Sequence, residues 1–287
     1  MTRPRGLARC SLHLRALHGV QALCVSLLGV PALATAQESL SPLAPSGSTV
    51  TPAFEGWFRN ADGSFSLSFG YLNRNAAETV DVPVGDNNFI SPGAQNQGQP
   101  THFETRRHWG VFAVRVPADF GTKQVTWILV FRGQRYAIPG SLRADWEIDA
   151  VQGEASADNT PPGVQFDGDS AEARGPRGVT AGPLTVTVGT PLVLRALVKD
   201  DAKSEPVAKS ASPVSVAWFR HQGPGDVTFT PATSKLAPVG GAVTTSVMFS
   251  QPGEYLLRLR ANDSALASAG HAQCCWTNAF VRVLVTR

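Results

Sequence analysis

The residues best suited to chemistry lie near the end of the chain, where two adjacent cysteines precede a tryptophan. Cys274 and Cys275 can close an eight-membered disulfide ring if the peptide between them distorts. We predict this oxidised pair, a stiff apolar plate that could form a binding platform with Trp276 for a ligand such as a sugar ring. Two alternatives stay open: one buried and one exposed cysteine, or a soft Cu(I) or Zn²⁺ site that includes His271.

A second group of candidate residues is acidic. Asp200 and Asp201 follow one predicted strand, and Asp263 follows another. Carboxylate oxygens are hard ligands of the kind that Ca²⁺ requires, so these residues are a candidate calcium site. The sequence has no Asp-x-Asp-x-Asp-Gly loop. Two alternatives explain the same residues: a contact between domains, in which Trp276 and these loops pack against the first sandwich, or a solvated loop end. We expect no other cofactor.

A third group consists of charged residues before a strand of the first half: His102, Glu104, Arg106, Arg107 and His108. Catalysis would need a nucleophile and a general base within reach of each other. The chain has no Gly-x-Ser-x-Gly, His-Glu-x-x-His or phosphate-loop motif. A charged strand edge that resists aggregation explains the group. We therefore expect no enzyme activity, and the alternative is a hydrolase with an interdomain site that uses His102, Glu104 and His108.

Residues 51–148 must position that third group, and their pattern predicts a β-sandwich. Phe65, Leu67, Phe69 and Tyr71 alternate with small residues and therefore share one face of a strand. Asp62-Gly63 marks a hairpin turn before this strand. Residues 85–101 are polar and rich in Gly and Pro, so we predict a long loop there. Several aromatic residues fit either the core or a carbohydrate surface: Trp57, Trp109, Trp127 and Tyr136.

The strand pattern of residues 184–287 predicts a second sandwich, of the seven-strand immunoglobulin-like type. Successive strands of such a domain run in opposite directions, so every second loop lies at the same end of the sandwich. Asp200, Asp201 and Asp263 then gather at one end with the 271–276 segment. The intervening residues 149–183 are rich in Pro, Gly and Asp and predict a linker that enters at the same end. The fold class is therefore all-β, with two sandwiches joined by this linker.

The last 100 residues also resemble a known family. Phe249-Ser250-Gln251-Pro252-Gly253-Glu254-Tyr255, followed by Leu-Leu-Arg-Leu-Arg-Ala-Asn-Asp, is similar to the end of a polycystic-kidney-disease-type (PKD-like) Ig domain, and Trp218 fits its central strand. The family's Gly-Asp-Gly is replaced by residues 222–226. The resemblance implies an extracellular module for spacing, adhesion or accessory binding, without catalytic residues. The whole mature chain resembles uncharacterised secreted bacterial proteins that share Phe-Glu-Gly-Trp and Gln-Cys-Cys-Trp-Thr-Asn.

The first residues predict export. Four arginines, an apolar run and Ala34-Thr35-Ala36 indicate a signal peptide at 1–36, followed by a flexible lead-in at 37–50. Cleavage removes 4 of 25 basic residues and leaves 21 against 22 acidic ones, a net charge of −1. This charge gives no support for a nucleic-acid partner, and no later run reaches the roughly 20 apolar residues of a membrane span. We predict a periplasmic or extracellular, non-catalytic binding or structural module. Its ligand would be a carbohydrate or another surface protein.

Overall fold

Strands account for almost all regular structure in the computed structural model, which describes residues 43–148, 159–167, 171–203, 213–263 and 275–287. These residues belong to one compact unit, Pro42–Arg287. A short 3₁₀ turn at Ala144–Trp146 is the single helical element of the described residues. Within those ranges, no helix is long and apolar enough to cross a membrane. The predicted signal peptide, residues 1–36, lies outside the described residues.

The first sandwich is built from eight strands, whose two larger sheets enclose the predicted apolar face of residues 65–71. One sheet has the order β1-β2-β6, a second has the order β4-β7-β8, and β3 pairs with β5. Leu67 and Phe69 are buried with Trp127 between the sheets. The strands are β1 Val50–Arg59, β2 Phe65–Asn73, β3 Val80–Asp81, β4 Asn88–Ser91, β5 His102–Phe103, β6 Arg106–Val116, β7 Val125–Phe131 and β8 Gln134–Gly140.

The long loop predicted at residues 85–101 is wrong in part, because β4 lies inside it and pairs with β7. Asn88 explains how a polar residue begins a buried strand. Its amide nitrogen donates to the carbonyl oxygens of Val82 (2.9 Å) and Pro100 (2.8 Å), and its amide oxygen accepts from the Trp127 indole (2.9 Å). All these groups are thereby satisfied inside the core.

The second sandwich has two sheets, with the orders β10-β17-β16-β12-β14 and β13-β15-β11-β9. β10 runs parallel to β17, and every other pair is antiparallel. Trp218 lies in the core between the sheets. This arrangement confirms the immunoglobulin-like prediction. The strands are β9 Gly163–Phe166, β10 Thr180–Thr187, β11 Leu192–Lys199, β12 Ser215–Gln222, β13 Val227–Thr230, β14 Thr233–Lys235, β15 Gly240–Phe249, β16 Gly253–Asn262 and β17 Trp276–Thr286.

Part of the segment predicted as a linker, residues 149–183, belongs to the second sandwich. β9 pairs with β11, with Val164 opposite Val198, and Val164 and Phe166 enter the core. β10 also begins at Thr180, inside the same segment. Two apolar residues among many Pro and Gly gave too weak an alternation for a strand prediction.

Candidate functional site at the joint between the two sandwiches

The outer face of β12, β16 and β17 is buried although strand alternation directs it away from its own core. Leu257 and Leu259 point into the second sandwich, so Arg258 between them points out, yet Arg258 is buried. The same is true of Asn278 and Phe280 beside core residue Ala279. The first sandwich covers this face, and we call the contact the joint.

The centre of the joint is a close approach between Gly110 of β6 and Trp276 of β17. Trp276 is 2% exposed, and its indole nitrogen donates to the Gly110 carbonyl at 3.4 Å. The Asn278 amide donates to the same carbonyl at 2.6 Å and to Pro176 at 2.8 Å. Gly110 has φ +45°, and a Cβ there would lie 2.5 Å from the Trp276 ring. A side chain at position 110 is therefore incompatible with this contact.

Glu55 holds Gly110 from the side of the first sandwich. One carboxylate oxygen accepts the Gly110 backbone N–H at 2.6 Å, and the other accepts the Arg107 guanidinium at 2.6 Å. Burial raises the pKa of Glu55 to about 7, against the lowering effect of Arg107. The carboxyl group thus fixes the backbone on which Trp276 rests.

A charged network forms one edge of the joint. The Arg220 guanidinium donates to both carboxylate oxygens of Asp81 at 2.8 Å and also contacts His102 Nδ1. His102 lies 2.9 Å from Asp81 and 3.5 Å from Glu104. Burial opposes protonation of His102, but its hydrogen bonds to Asp81 and Glu104 prevail and raise its pKa. His102 and Glu104 are therefore parts of an ion network that joins the sandwiches.

Backbone and amide hydrogen bonds tie β12 to the 95–101 segment of the first sandwich. Thr101 N–H donates to the His221 carbonyl (2.8 Å), and His221 Nε2–H donates to the Gly98 carbonyl (2.7 Å). The Gln222 amide donates to the Gln99 carbonyl at 2.6 Å. Burial and the nearby Arg258 lower the pKa of His221 to about 3. The histidine is therefore neutral in the folded protein at neutral pH.

His108 is a second neutral histidine in the joint. Its ring stacks on Tyr71 at 5.0 Å and meets Phe219 edge-on at 5.9 Å. Burial, with help from Arg258 and Arg260, lowers its pKa to about 4. The predicted hydrolase residues His102, Glu104 and His108 therefore all lie in packed or ion-paired positions.

A cleft of about 780 Å³ opens beside the joint, and both sandwiches line it. Its floor is apolar and its rim carries amides and two exposed arginines. Among the described lining residues, Glu254 is the one carboxyl group and no histidine or cysteine occurs. The lining is Asn96, Gln97, Gly98, Phe112, Ala113, Arg177, Thr180, Pro183, Gln222, Glu254, Tyr255, Leu256, Phe280, Arg282, Val283 and Leu284. Such a surface suits the binding of a polar ligand through its rim.

The binding platform predicted from Cys274, Cys275 and Trp276 cannot use the Trp276 ring for stacking. A stacking platform needs an exposed ring, whereas Trp276 is covered by Gly110. Cys275 is buried and disulfide-bonded, and its Sγ lies 3.4 Å from the Asn159 carbonyl oxygen. Cys274 and His271 lie outside the described residues, so the vicinal disulfide and the soft metal site stay predictions. Trp57 and Trp127 are core residues rather than parts of a carbohydrate surface.

The predicted acidic group separates into a pair and a single residue. Asp200 and Asp263 lie close enough for each to affect the pKa of the other. Asp201 instead accepts hydrogen bonds from the Thr160 hydroxyl (3.0 Å) and the Lys203 backbone N–H (2.9 Å). Across the described ranges, no three side chains of His, Cys, Asp or Glu form a group that could hold a metal. The predicted calcium site of three carboxylates stays a prediction, and in the structure Asp201 makes hydrogen bonds apart from the other two.

Gly110, Asp81 and Arg220 are joint residues that no sequence pattern predicts. Strand directions place Trp276 at the end of the second sandwich where the domains meet, and large side chains on both faces of β17 are a second signal of the joint. Trp276 and Phe280 alternate with the core residues Ala279 and Val281, which is the pattern of a strand buried on both sides.

The chain resembles known proteins at low sequence identity and low structural similarity. No protein family and no curated protein matches the chain. Two solved structures cover 83% of this chain: the D00-D0 domain of Intimin (11% identity, all of that chain, TM-score 0.29) and the D0-D1 domain of Intimin (12% identity, 98% of that chain, TM-score 0.23). A conjugative transposon lipoprotein from Bacteroides eggerthii covers 44% of this chain (10% identity, 98% of that chain, TM-score 0.25). The fold assignment rests on the strand order instead.

Proposed function

We propose that the protein is an exported, non-catalytic binding module, and that the cleft beside the joint binds an extended, acidic polar ligand such as an anionic polysaccharide. The observation that carries this proposal is the cleft itself, because residues of both sandwiches line it. A rigid joint fixes the two walls relative to each other, so little order is lost when a ligand binds.

The chemistry of the rim supports an acidic ligand. Arg177 and Arg282 are exposed, and Glu254 is the opposing charge among the described lining residues. Guanidinium groups bind carboxylate and sulfate groups through paired hydrogen bonds. Asn96 and Gln222 supply amides that donate to and accept from hydroxyl groups. The apolar rings of Phe112 and Phe280 are buried in the floor, so hydrogen bonds rather than ring stacking would select the ligand.

The alternative of a hydrolase receives no support from the positions of its residues. His102 and Glu104 are committed to the ion network with Arg220, and His108 is packed between aromatic rings. None of the three lines the cleft. We therefore propose structural roles for them.

Affinity electrophoresis of the mature chain through gels that contain neutral or acidic polysaccharides tests the proposal. We expect retardation by acidic chains, at least a tenfold weaker interaction for the double variant Arg177→Ala/Arg282→Ala, and weakening at high salt. Arg195→Ala is the matched control, because Arg195 is an exposed arginine on β11 that does not line the cleft. The proposal fails if no polysaccharide retards the protein or if the control weakens binding equally.

A further inference from the structure

The carboxyl groups of Asp200 and Asp263 lie beside each other where β11 and β16 end, with Asp263 buried and Asp200 half-buried. Asp263 is 5% exposed, and neither of its carboxylate oxygens has a well-formed hydrogen bond to the described residues, although the Asn159 side chain is near enough to lower its pKa. The Oδ1 atom of Asp200 is also buried without a hydrogen-bond partner among the described residues, while its Oδ2 accepts the Ala202 backbone N–H at 3.0 Å. The described structure thus places three buried carboxylate oxygens together with little hydrogen-bond compensation.

A third chain segment reaches the same corner. Asn159 lies in the stretch that leads into β9, is buried, and has its side chain beside the Asp263 carboxyl group. Cys275 connects the segments, since its carbonyl accepts the Asp263 backbone N–H at 3.3 Å and its Sγ touches the Asn159 carbonyl at 3.4 Å. Residues far apart in sequence therefore hold a set of oxygen atoms in one place.

Electrostatics requires a positive partner for this arrangement. A carboxylate taken out of water without a partner costs several kcal/mol, and a second carboxylate nearby adds repulsion. Either one carboxyl group keeps a proton, or a cation sits between the two. The number of oxygens and the neutral amide beside them fit a cation that accepts mixed oxygen ligands.

We propose that Asp200 and Asp263, together with the side-chain oxygen of Asn159, bind a calcium ion. Ca²⁺ accepts carboxylates and amide carbonyls in flexible geometry, with water in the remaining positions. Zn²⁺ prefers nitrogen and thiolate ligands, and Mg²⁺ demands a stricter octahedron. Asp201 is not a ligand, because Thr160 and Lys203 already hydrogen-bond its carboxylate.

The bound ion would fasten the entry of the second sandwich. It would connect the segment before β9 to the ends of β11 and β16, which belong to different sheets. Two carboxylates and an amide predict the weak affinity of extracellular modules, with a dissociation constant on the order of 10⁻⁴ to 10⁻³ M. The site is separate from the cleft, so this inference does not depend on the proposed function.

Thermal unfolding of the full mature chain tests the proposal. After treatment with a chelator and dialysis, we expect 5 mM CaCl₂ to raise Tm by about 2–9 °C, and 5 mM MgCl₂ to raise it by less than half as much. Asp263→Asn and Asp200→Asn should each abolish the calcium shift. Asp201→Asn is the matched control, since it removes a neighbouring carboxylate outside the site, and it should keep the shift.

A second measurement covers variants that fold poorly. Terbium luminescence, excited through nearby aromatic rings and competed with calcium, reports binding to folded wild-type protein and to Asp201→Asn. The proposal is overturned if calcium shifts neither Tm nor luminescence of the wild type, or if Asp201→Asn loses the response as fully as Asp263→Asn. A calcium-insensitive wild type together with a more stable Asp263→Asn in chelator would show that the pair shares a proton instead.

Discussion

Single residues in the joint determine how the stability of the protein depends on pH, and His221 gives the clearest case. It donates to the Gly98 carbonyl, and its folded-state pKa is lowered to about 3 from an ordinary value of 6.5. A histidine with a lowered pKa contributes stability that is fully present above pH 6.5 and is lost as the pH falls. By pH 4 the free energy of unfolding should drop by about 3 kcal/mol from this residue.

The variant His221→Gln keeps a donor for Gly98 and removes the titrating ring. Its stability relative to wild type should therefore improve by about 3 kcal/mol between pH 8 and pH 4, measured by urea unfolding at each pH. His102→Gln is the comparison of opposite sign, because the pKa of His102 is raised and its contribution is lost as the pH increases. A constant difference between His221→Gln and wild type across this range would show that His221 does not titrate with unfolding.

Some of these residues can be placed from the sequence and others cannot. Strand directions predicted that Asp200, Asp263 and Cys275 share one end of the second sandwich, and the structure places them there. Strand directions do not separate Asp201 from Asp200, because adjacent residues in a turn differ only in local backbone direction. Arg220 and Asp81 were missed because their pairing joins strands of different domains, and no local pattern encodes such a contact.

At the scale of elements, β9 is a strand that lies in a segment whose composition is typical of a linker. Its stability comes from pairing with β11 and from Phe166, which is 6% exposed and lies 6.3 Å from the Trp218 ring. Phe166→Ala should lower the free energy of unfolding by about 3 kcal/mol, because it removes buried apolar surface and leaves a cavity. A flexible linker would tolerate the same change.

Chemical unfolding of the full chain measures this effect, and Val193→Ala is the control. Val193 is on the neighbouring strand β11 but is 46% exposed, so its truncation should change stability by less than about 1 kcal/mol. Equal losses of stability in the two variants would show that β9 is not part of the core. Alternation predicted long strands such as β2 correctly because several residues repeat the pattern, whereas β4 and β9 have four residues each and depend on distant partners.

At the scale of the whole molecule, the joint should make the two sandwiches unfold together. Tethered domains commonly move independently unless their contact is extensive. Here buried side chains of β12, β16 and β17 face the first sandwich, and hydrogen bonds cross at Gly98, Thr101 and Gly110. Differential scanning calorimetry of the wild type should therefore show one transition, in which the calorimetric and van't Hoff enthalpies agree.

The substitution Gly110→Ala is the most direct way to separate the sandwiches. The new methyl group would lie 2.5 Å from the Trp276 ring, so the joint must open or shift, and the transition should split in two. Gly121→Ala is the matched control: its φ of +61° carries similar backbone strain, and the nearest atom to its Cβ is 3.9 Å away. A single transition in both variants would mean that the joint contributes little to cooperativity. Splitting in Gly110→Ala alone would show that contact with Trp276 couples the domains, because backbone strain is common to both variants.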